Sequence, residues 1–224
     1  MKQINLIIMK NQLLICLAIF TFVGCGKSDD LPLTINQTEV KLRYDGDFVF
    51  FIKNATNVEW VSSDEFVGII GSDGKFEARH IGETTITGKV GSQSITANVM
   101  VEPNVIGVIE PYIQFGKRKP DVKNFEKRQL GNETSTLLFY TETSTYTWGA
   151  RYLFEDNLFT SVSLLWNDSR IEEGATFYAE RYQHIGTSNN VYYFTDKANS
   201  VVISVTNDRS LGFTATYSKN TTTN

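Results

Sequence analysis

From Leu33 to Val101 apolar residues recur at every second position, in short runs broken by turn residues. Val40-Leu42-Tyr44, Phe48-Phe50-Ile52, Val58-Trp60, Val67-Ile69, Phe76-Ala78, Thr85-Thr87 and Ile95-Ala97-Val99-Val101 are such runs. Gly46, Ser72-Asp73-Gly74, Gly82 and Gly91 separate them. A period of two puts one face of a strand in a core and the other in water, and it does not match the period of a helix. Roughly seven short strands in about 70 residues predict a β-sandwich.

Three motifs in this stretch carry a resemblance. Val58-Glu59-Trp60-Val61-Ser62-Ser63-Asp64, then Asp73-Gly74-Lys75-Phe76-Glu77-Ala78, then Gly82-Glu83-Thr84-Thr85-Ile86-Thr87 resemble the bacterial Ig-like group 2 domain in order and spacing, over residues 33–102. The resemblance implies that Trp60 fills the space between two sheets and that Thr85-Ile86-Thr87 continues the core. It also implies a spacer or adhesive module of a surface protein.

Glu102-Pro103-Asn104 breaks the alternation and marks a boundary. Residues 104–220 then change character. Lys119 to Arg128 predicts a short helix with Pro120 in its first turn, where the missing N–H costs little. Strands are expected at Thr136–Thr141, Tyr146–Phe154 and Leu158–Trp166, with Glu155-Asp156-Asn157 as a turn. Ser169-Arg170-Ile171-Glu172 reads as a capping box. Ile171, Ala175, Tyr178 and Tyr182 form one helical stripe behind it, and Gly186 serves as terminator. Strands at Val191–Thr195, Ser200–Thr206 and Gly212–Ser218 follow, the last two joined by Asn207-Asp208-Arg209-Ser210. Leu138-Phe139-Tyr140-Thr141-Glu142 and Tyr192-Tyr193-Phe194-Thr195-Asp196 occupy matching places. The expectation is a two-layer α+β domain of helix and three-strand meander, read as two duplicated αβββ units. Phe115-Gly116, a helix, then Tyr152-Leu153-Phe154 and Leu158 is similar to domains of uncharacterised surface lipoproteins of gut Bacteroidota. The order also resembles helix-and-sheet modules of outer-membrane assembly lipoproteins and of secreted β-lactamase inhibitors.

The N-terminus supplies an address. Residues 1–24 hold Lys2, Lys10 and no acid, and Leu13–Val23 is almost wholly apolar. That describes an export signal, too short for a spanning helix of roughly 20 apolar residues. Met9 also suits as a start. Val23-Gly24-Cys25 resembles a bacterial lipobox, with Phe22 in place of the usual Leu. The resemblance implies cleavage before Cys25 and a covalent lipid there (palmitate-type acyl chains), hence a membrane anchor through residues 25–32. Lys27-Ser28-Asp29-Asp30 resembles the signal that sends lipoproteins of Bacteroidota to the outer surface of the outer membrane.

Composition excludes several classes. Loss of the first 24 of 224 residues removes two lysines and moves the formal charge from −4 to −6, which argues against nucleic acid as a partner. It also removes Cys16, so no disulfide is expected. With two histidines in the chain, no His/Cys metal site and no cofactor is expected.

Few residues suggest chemistry. Glu172-Glu173 and Glu155-Asp156 are adjacent pairs, which cannot face each other across a substrate. His80 lies in the sandwich, and His184 reads as a capping or solvated residue near a helix end. Lys117-Arg118-Lys119, Lys123, Lys127 and Arg128 read as a solvated helix face rather than an anion site. Aromatics remain: Trp148, Trp166, Tyr192 and Phe194, with Arg151 among them, are the candidate contacts for a sugar ring or a partner protein. The expected function is a non-catalytic cell-surface lipoprotein whose sandwich is a stalk for a C-terminal adhesion or binding module. A periplasmic structural or assembly lipoprotein, or an inhibitor of a secreted enzyme, stays as the alternative.

Overall fold

A computed structural model describes residues 32–208 and 210–221. The export signal, Cys25 and Lys27-Ser28-Asp29-Asp30 lie outside the described residues. Half-buried alternation produces seven strands: β1 (Glu39–Arg43), β2 (Asp47–Val49), β3 (Glu59–Ser62), β4 (Gly68–Ile70), β5 (Lys75–Ala78), β6 (Gly82–Val90) and β7 (Gln93–Glu102). They form a four-stranded sheet, β1-β7-β6-β3, and a three-stranded sheet, β2-β5-β4. β1 runs parallel to β7, and the other pairs are antiparallel. Phe50, Phe76, Ile86, Val99 and Val101 are buried between the sheets, with Trp60 packed against them. The two rings of Phe50 and Trp60 lie 6.1 Å apart. Gly74 has φ +81, and a Cβ there would meet Phe50 O at 2.2 Å. This turn therefore requires glycine.

The second half has α1 (Lys119–Phe125), β8 (Gln129–Glu133), β9 (Leu137–Thr141), β10 (Thr147–Glu155) and β11 (Leu158–Trp166). A 3-10 turn at Asp168–Arg170 leads to α2 (Ile171–Ala179), β12 (Gln183–Ser188), β13 (Val191–Thr195), β14 (Val201–Asp208) and β15 (Gly212–Lys219). All eight strands join one sheet, β12-β13-β14-β15-β11-β10-β9-β8. Its neighbours are antiparallel throughout. Each helix is thus followed by four strands, not three. The extra strands, β8 and β12, are the two edges of the sheet and are mostly exposed along their length.

The register repeats. Gln129–Thr141 and Leu130–Tyr140 pair across β8 and β9. Gln183–Thr195 and His184–Phe194, 54 positions on, pair across β12 and β13. The bulges repeat too, between Leu130 and Asn132 and between His184 and Gly186. The final strand of each half, β11 and β15, meets its counterpart at the centre. There Val162 pairs Tyr217 and Leu164 pairs Ala215 about the Ser163–Thr216 pair, whose hydroxyls are 2.9 Å apart. A local two-fold passes through that pair.

The sheet has one apolar face. Leu138, Tyr152, Val162, Leu164, Trp166, Ile203 and Tyr217 are fully buried there, beneath Val122 of α1 and Phe177 and Tyr178 of α2. The connecting segment 103–118 adds Val105 and Tyr112 to the same core. The α2 start differs from expectation. No side chain caps it, and its N-cap is Arg170 rather than Ser169. The 3-10 turn moves the helix on by one residue, and Arg170 pairs instead with Glu173 at 2.6 Å. Gly174, Phe177 and Tyr178 are its buried residues, whereas Ile171 and Ala175 are exposed. Gly186 does not end it but sits in the β12 bulge. α1 ends at Phe125, short of Arg128.

Sandwich and second domain belong to one compact unit, Leu33–Asn224. Ile81 N–H donates to the Glu180 carbonyl at 2.7 Å, and Lys197 meets Asp64 at 2.5 Å. Glu180, the C-cap of α2, is buried. Its carboxylate accepts the Asn104 and Val105 N–H groups at 2.6 and 3.2 Å and pairs with Arg181. No helix among the described residues is long and apolar enough to cross a membrane.

Candidate functional site

The sequence candidates separate when the chain folds. Trp166 and Phe194 are buried in the core rather than exposed on a sheet face. Trp166 is fully buried, and its Nε1 donates to the Tyr178 hydroxyl at 3.0 Å. Phe194 packs 6.2 Å from Tyr178 and 5.4 Å from His184. Alternation along β13 sends Tyr192 and Phe194 to the helix side, but Tyr192 sits at the sheet margin and stays exposed.

Trp148 and Arg151 lie elsewhere. Strict alternation would place Trp148 beside Ala150 in the core. A register shift between Thr147 and Gly149 prevents this. Thr147 takes the buried position opposite Trp166. Trp148 turns outward, stays 36 % exposed and meets Phe139 edge-on at 6.0 Å. Phe139 shares a row with Arg151, Ser163, Thr216, Ser204 and Tyr193, each directly opposite the next. This row is on the face turned away from the helices, and none of its residues belongs to the apolar core. Arg151 has no ion-pair partner among the described residues.

A pocket of about 670 Å³ opens beside Trp148. Its other walls come from the end of β11, including the buried Trp166 with Asn167 and Asp168, and from the β14–β15 turn with Asn207, Asp208 and Gly212. Asp168 Oδ1 accepts Phe213 N–H at 3.3 Å. Asp208 Oδ1 accepts Ser210 and Leu211 N–H at 2.7 and 2.9 Å. Asn167 Nδ2 donates to the carbonyls of Ser144 and Thr145 at 3.1 and 3.0 Å. Among the described residues these bonds engage one oxygen of each carboxylate and the amide nitrogen of Asn167. Gly212 has φ +71, and a Cβ there would meet Asp168 Oδ1 at 2.3 Å, so the turn and the carboxylate position depend on this glycine. Sequence reasoning missed this cluster because the polar members lie in turns, far from Trp148 in sequence.

The remaining candidates do not converge. Arg128 is not on a solvated face. It is buried between Glu126 at 2.9 Å and Glu142 at 2.7 Å. The Tyr152 hydroxyl donates to Glu126 at 2.5 Å. Burial, then the Glu126 charge, pushes the Tyr152 phenol far up, and the same causes with Glu133 push Tyr140 up to about 12. Lys123 pairs with Glu133 at 2.5 Å, and Lys119 lies over the Phe154 ring at 5.4 Å. Glu173 is held below the usual carboxylate range by the Arg170 hydrogen bond. His80 stacks on Phe66 at 4.0 Å, with Nδ1 2.6 Å from Phe66 O. His184 is in β12, not at a helix end, and its Nε2 is 3.0 Å from Thr187 Oγ1. No group of three potential metal ligands occurs among the described residues.

Comparison with known proteins adds little to this geometry. No family model and no curated protein matches the chain. Among solved structures, domains 4–9 of the surface layer protein SbsC align with 12% identity and a TM-score of 0.28, covering 86% of this chain and 27% of that one. Domains 5–6 of the S-layer protein SbsC align with 12% identity, a TM-score of 0.26 and coverage of 86% and 85%. A lipoprotein from Bacteroides thetaiotaomicron aligns with 10% identity, a TM-score of 0.21 and coverage of 84% and 100%. The chain thus spans about a quarter of the first of these. Likeness at this level carries no residue and no role across.

Proposed function

We propose that this is a non-catalytic surface lipoprotein, held to the outer membrane by acyl chains on Cys25, whose second domain binds a glycan. One observation carries the binding half: the pocket beside Trp148 combines an exposed indole with planar polar side chains. An aromatic ring offers an apolar surface, and Asn and Asp offer directional hydrogen bonds. The sandwich is read as a bacterial Ig-like group 2 domain, and the second domain as a two-layer α+β duplicate. The sandwich acts as a rigid support, because Glu180, Ile81, Lys197 and Asp64 tie it to the second domain. The absence of catalysis is inferred from two histidines occupied by separate local contacts and from carboxylates engaged by arginines.

A specific observation favours a second reading, in which the partner is a protein such as a secreted enzyme. The sheet face bearing Phe139, Arg151 and Tyr193 is eight strands wide, about 34 Å at the usual strand spacing. That width suits a standard protein interface.

Two measurements test the proposal. In cells, Cys25→Ser is expected to leave the protein soluble or unprocessed, and full membrane partition with cleavage of that variant refutes the anchor. On glycan arrays, the full chain is expected to bind and Trp148→Ala to lose the signal. Loss on substitution of residues 33–102 instead would assign binding to the sandwich.

A further inference from the structure

We infer that the strip Val49-Phe51-Lys53 of the sandwich rests on the lipid surface of the membrane that holds Cys25, and so fixes which end of the molecule faces away from it; this rests on the reading of Cys25 as the lipid anchor. The strip follows from alternation. Phe50 and Ile52 are buried, and Phe48 packs against the sandwich core. Val49, Phe51 and Lys53 alternate with them and point the other way. Val49 is 54% exposed, Phe51 is 58% exposed, and Lys53 is exposed too. No other phenylalanine among the described residues is as exposed as Phe51.

A single exposed apolar residue is ordinary; the place of this pair gives it meaning. The first residues of the sandwich are bonded along the strip. Asn36 Nδ2 donates to Val49 O at 3.0 Å, and Asn36 Oδ1 accepts Phe51 N–H at 3.0 Å. Asn36 N–H donates to Phe51 O at 3.1 Å, and Lys53 N–H donates to Thr34 O at 2.8 Å. The eight residues from Cys25 to Pro32, whatever path they take, span at most about 26–29 Å. The strip is therefore within short reach of the acyl chains. The strand register puts the second domain at the opposite end. β1 runs parallel to β7, pairing Glu39 with Asn98 and Arg43 with Glu102. The chain thus enters at one end of β1 and leaves for the second domain at the other.

A valine and a phenylalanine are too little to hold a protein on a bilayer. Beside an anchor they need only select an orientation, because tethering gives the surface a high effective concentration. Their apolar groups leave water at the headgroup boundary. The Lys53 stem lets its ammonium reach lipid phosphates. The second domain is then carried on the end away from the lipid.

The test uses the full lipidated chain in vesicles of phosphatidylethanolamine and phosphatidylglycerol, with or without bromine on the acyl chains. Bromine quenches an indole that lies in the lipid. Phe51→Trp and Val49→Trp each place an indole on the strip, so one that fails to fold leaves the other to decide. Tyr192→Trp places an indole on the second domain, where the native side chain is 53% exposed. The emission added by either strip indole is expected to shift to shorter wavelength and to be lost in brominated vesicles. That of Tyr192→Trp is expected to be unchanged. Adding Phe51→Glu to the Val49→Trp chain is expected to abolish the quenching, and quenching that survives it overturns the contact. Unquenched strip indoles in a chain that mass spectrometry shows to be acylated at Cys25 overturn the contact and leave the anchor in place. Equal quenching at all three positions overturns the orientation. A chain that carries no acyl group and washes off the vesicles overturns the inference together with the anchor reading.

Discussion

Replacing Glu180 with alanine should loosen the second domain while leaving the sandwich intact. The buried carboxylate accepts two backbone N–H groups, from Asn104 at 2.6 Å and Val105 at 3.2 Å. Hydrogen bonds to a charged group are worth about 1.5–3 kcal/mol each. Arg181 loses one partner but keeps Glu110 at 3.3 Å and the Phe177 ring at 4.0 Å, so it is not stranded. The total loss should be about 3–5 kcal/mol, the range seen when one member of a buried pair is removed. For a unit of this size that lowers Tm by roughly 6–20 °C. The Ile81 bond survives, because it uses the Glu180 backbone carbonyl. Calorimetry of the wild type is therefore expected to give one transition. Glu180→Ala should give two, the earlier one coinciding with exposure of Trp166. Glu180→Gln, which keeps one acceptor oxygen, should fall between. A loss under about 1 kcal/mol, or an alanine variant that still melts as one unit at the wild-type temperature, would refute the idea that this carboxylate holds the connecting segment.

Gly174→Ala tests packing against propensity. Alanine gains about 1 kcal/mol within a helix, but its Cβ would lie 2.2 Å from Phe213 Cε1, on a ring only 5% exposed. Overpacking costs about 1–3 kcal/mol, so urea denaturation should show net destabilisation, and a stabilised variant would contradict the packing. Alkaline pH tests the tyrosine core. Burial raises the phenols of Tyr140, Tyr152, Tyr178, Tyr182 and Tyr217, so the folded state holds these protons more tightly than the unfolded chain. Their contribution is complete below about pH 10 and declines as pH rises from there toward 12. Urea midpoints should be flat from pH 8 to about 9.5 and fall steeply above about 10; a flat profile through pH 11 would refute the burial argument.

The sandwich was legible because each of its strands has one wet and one dry face. Val99 and Val101 are buried and Asn98 between them is exposed, and such contrast is what period two reports. β8 and β12 were not legible for the opposite reason. As sheet edges they are wet on both sides, so no alternation marks them. The α2 stripe was misread because its closest contact is made by a glycine, which hydrophobicity does not flag. In β10, alternation alone could not reveal that a bulge exchanges Thr147 for Trp148. The pocket was illegible in a stronger sense: Asn167 and Asp208 become neighbours of Trp148 only through the pairing of β11 with β10 and β15.

The two helices of the second domain end alike, and the likeness bears on how many ligands one chain takes. Each has a buried glutamate at its C-cap, Glu126 and Glu180, again 54 positions apart. An acid there opposes the helix dipole, so each must be held by other contacts. The contacts differ: Glu126 binds Arg128 and Tyr152 inside the domain, and Glu180 binds the segment leading from the sandwich. The repeats thus share a skeleton and have diverged in what they attach to. The same divergence applies at the pocket. Trp148 projects because β10 has a bulge at its start. The matching start of β14 has no register shift on either side, and Val201 there is buried. The bulge that turns Trp148 outward is therefore not repeated in β14, despite the local two-fold at Ser163–Thr216. Calorimetric titration of a short neutral oligosaccharide is expected to give one site per chain. Two equivalent sites would mean that the bulge is not what creates the pocket.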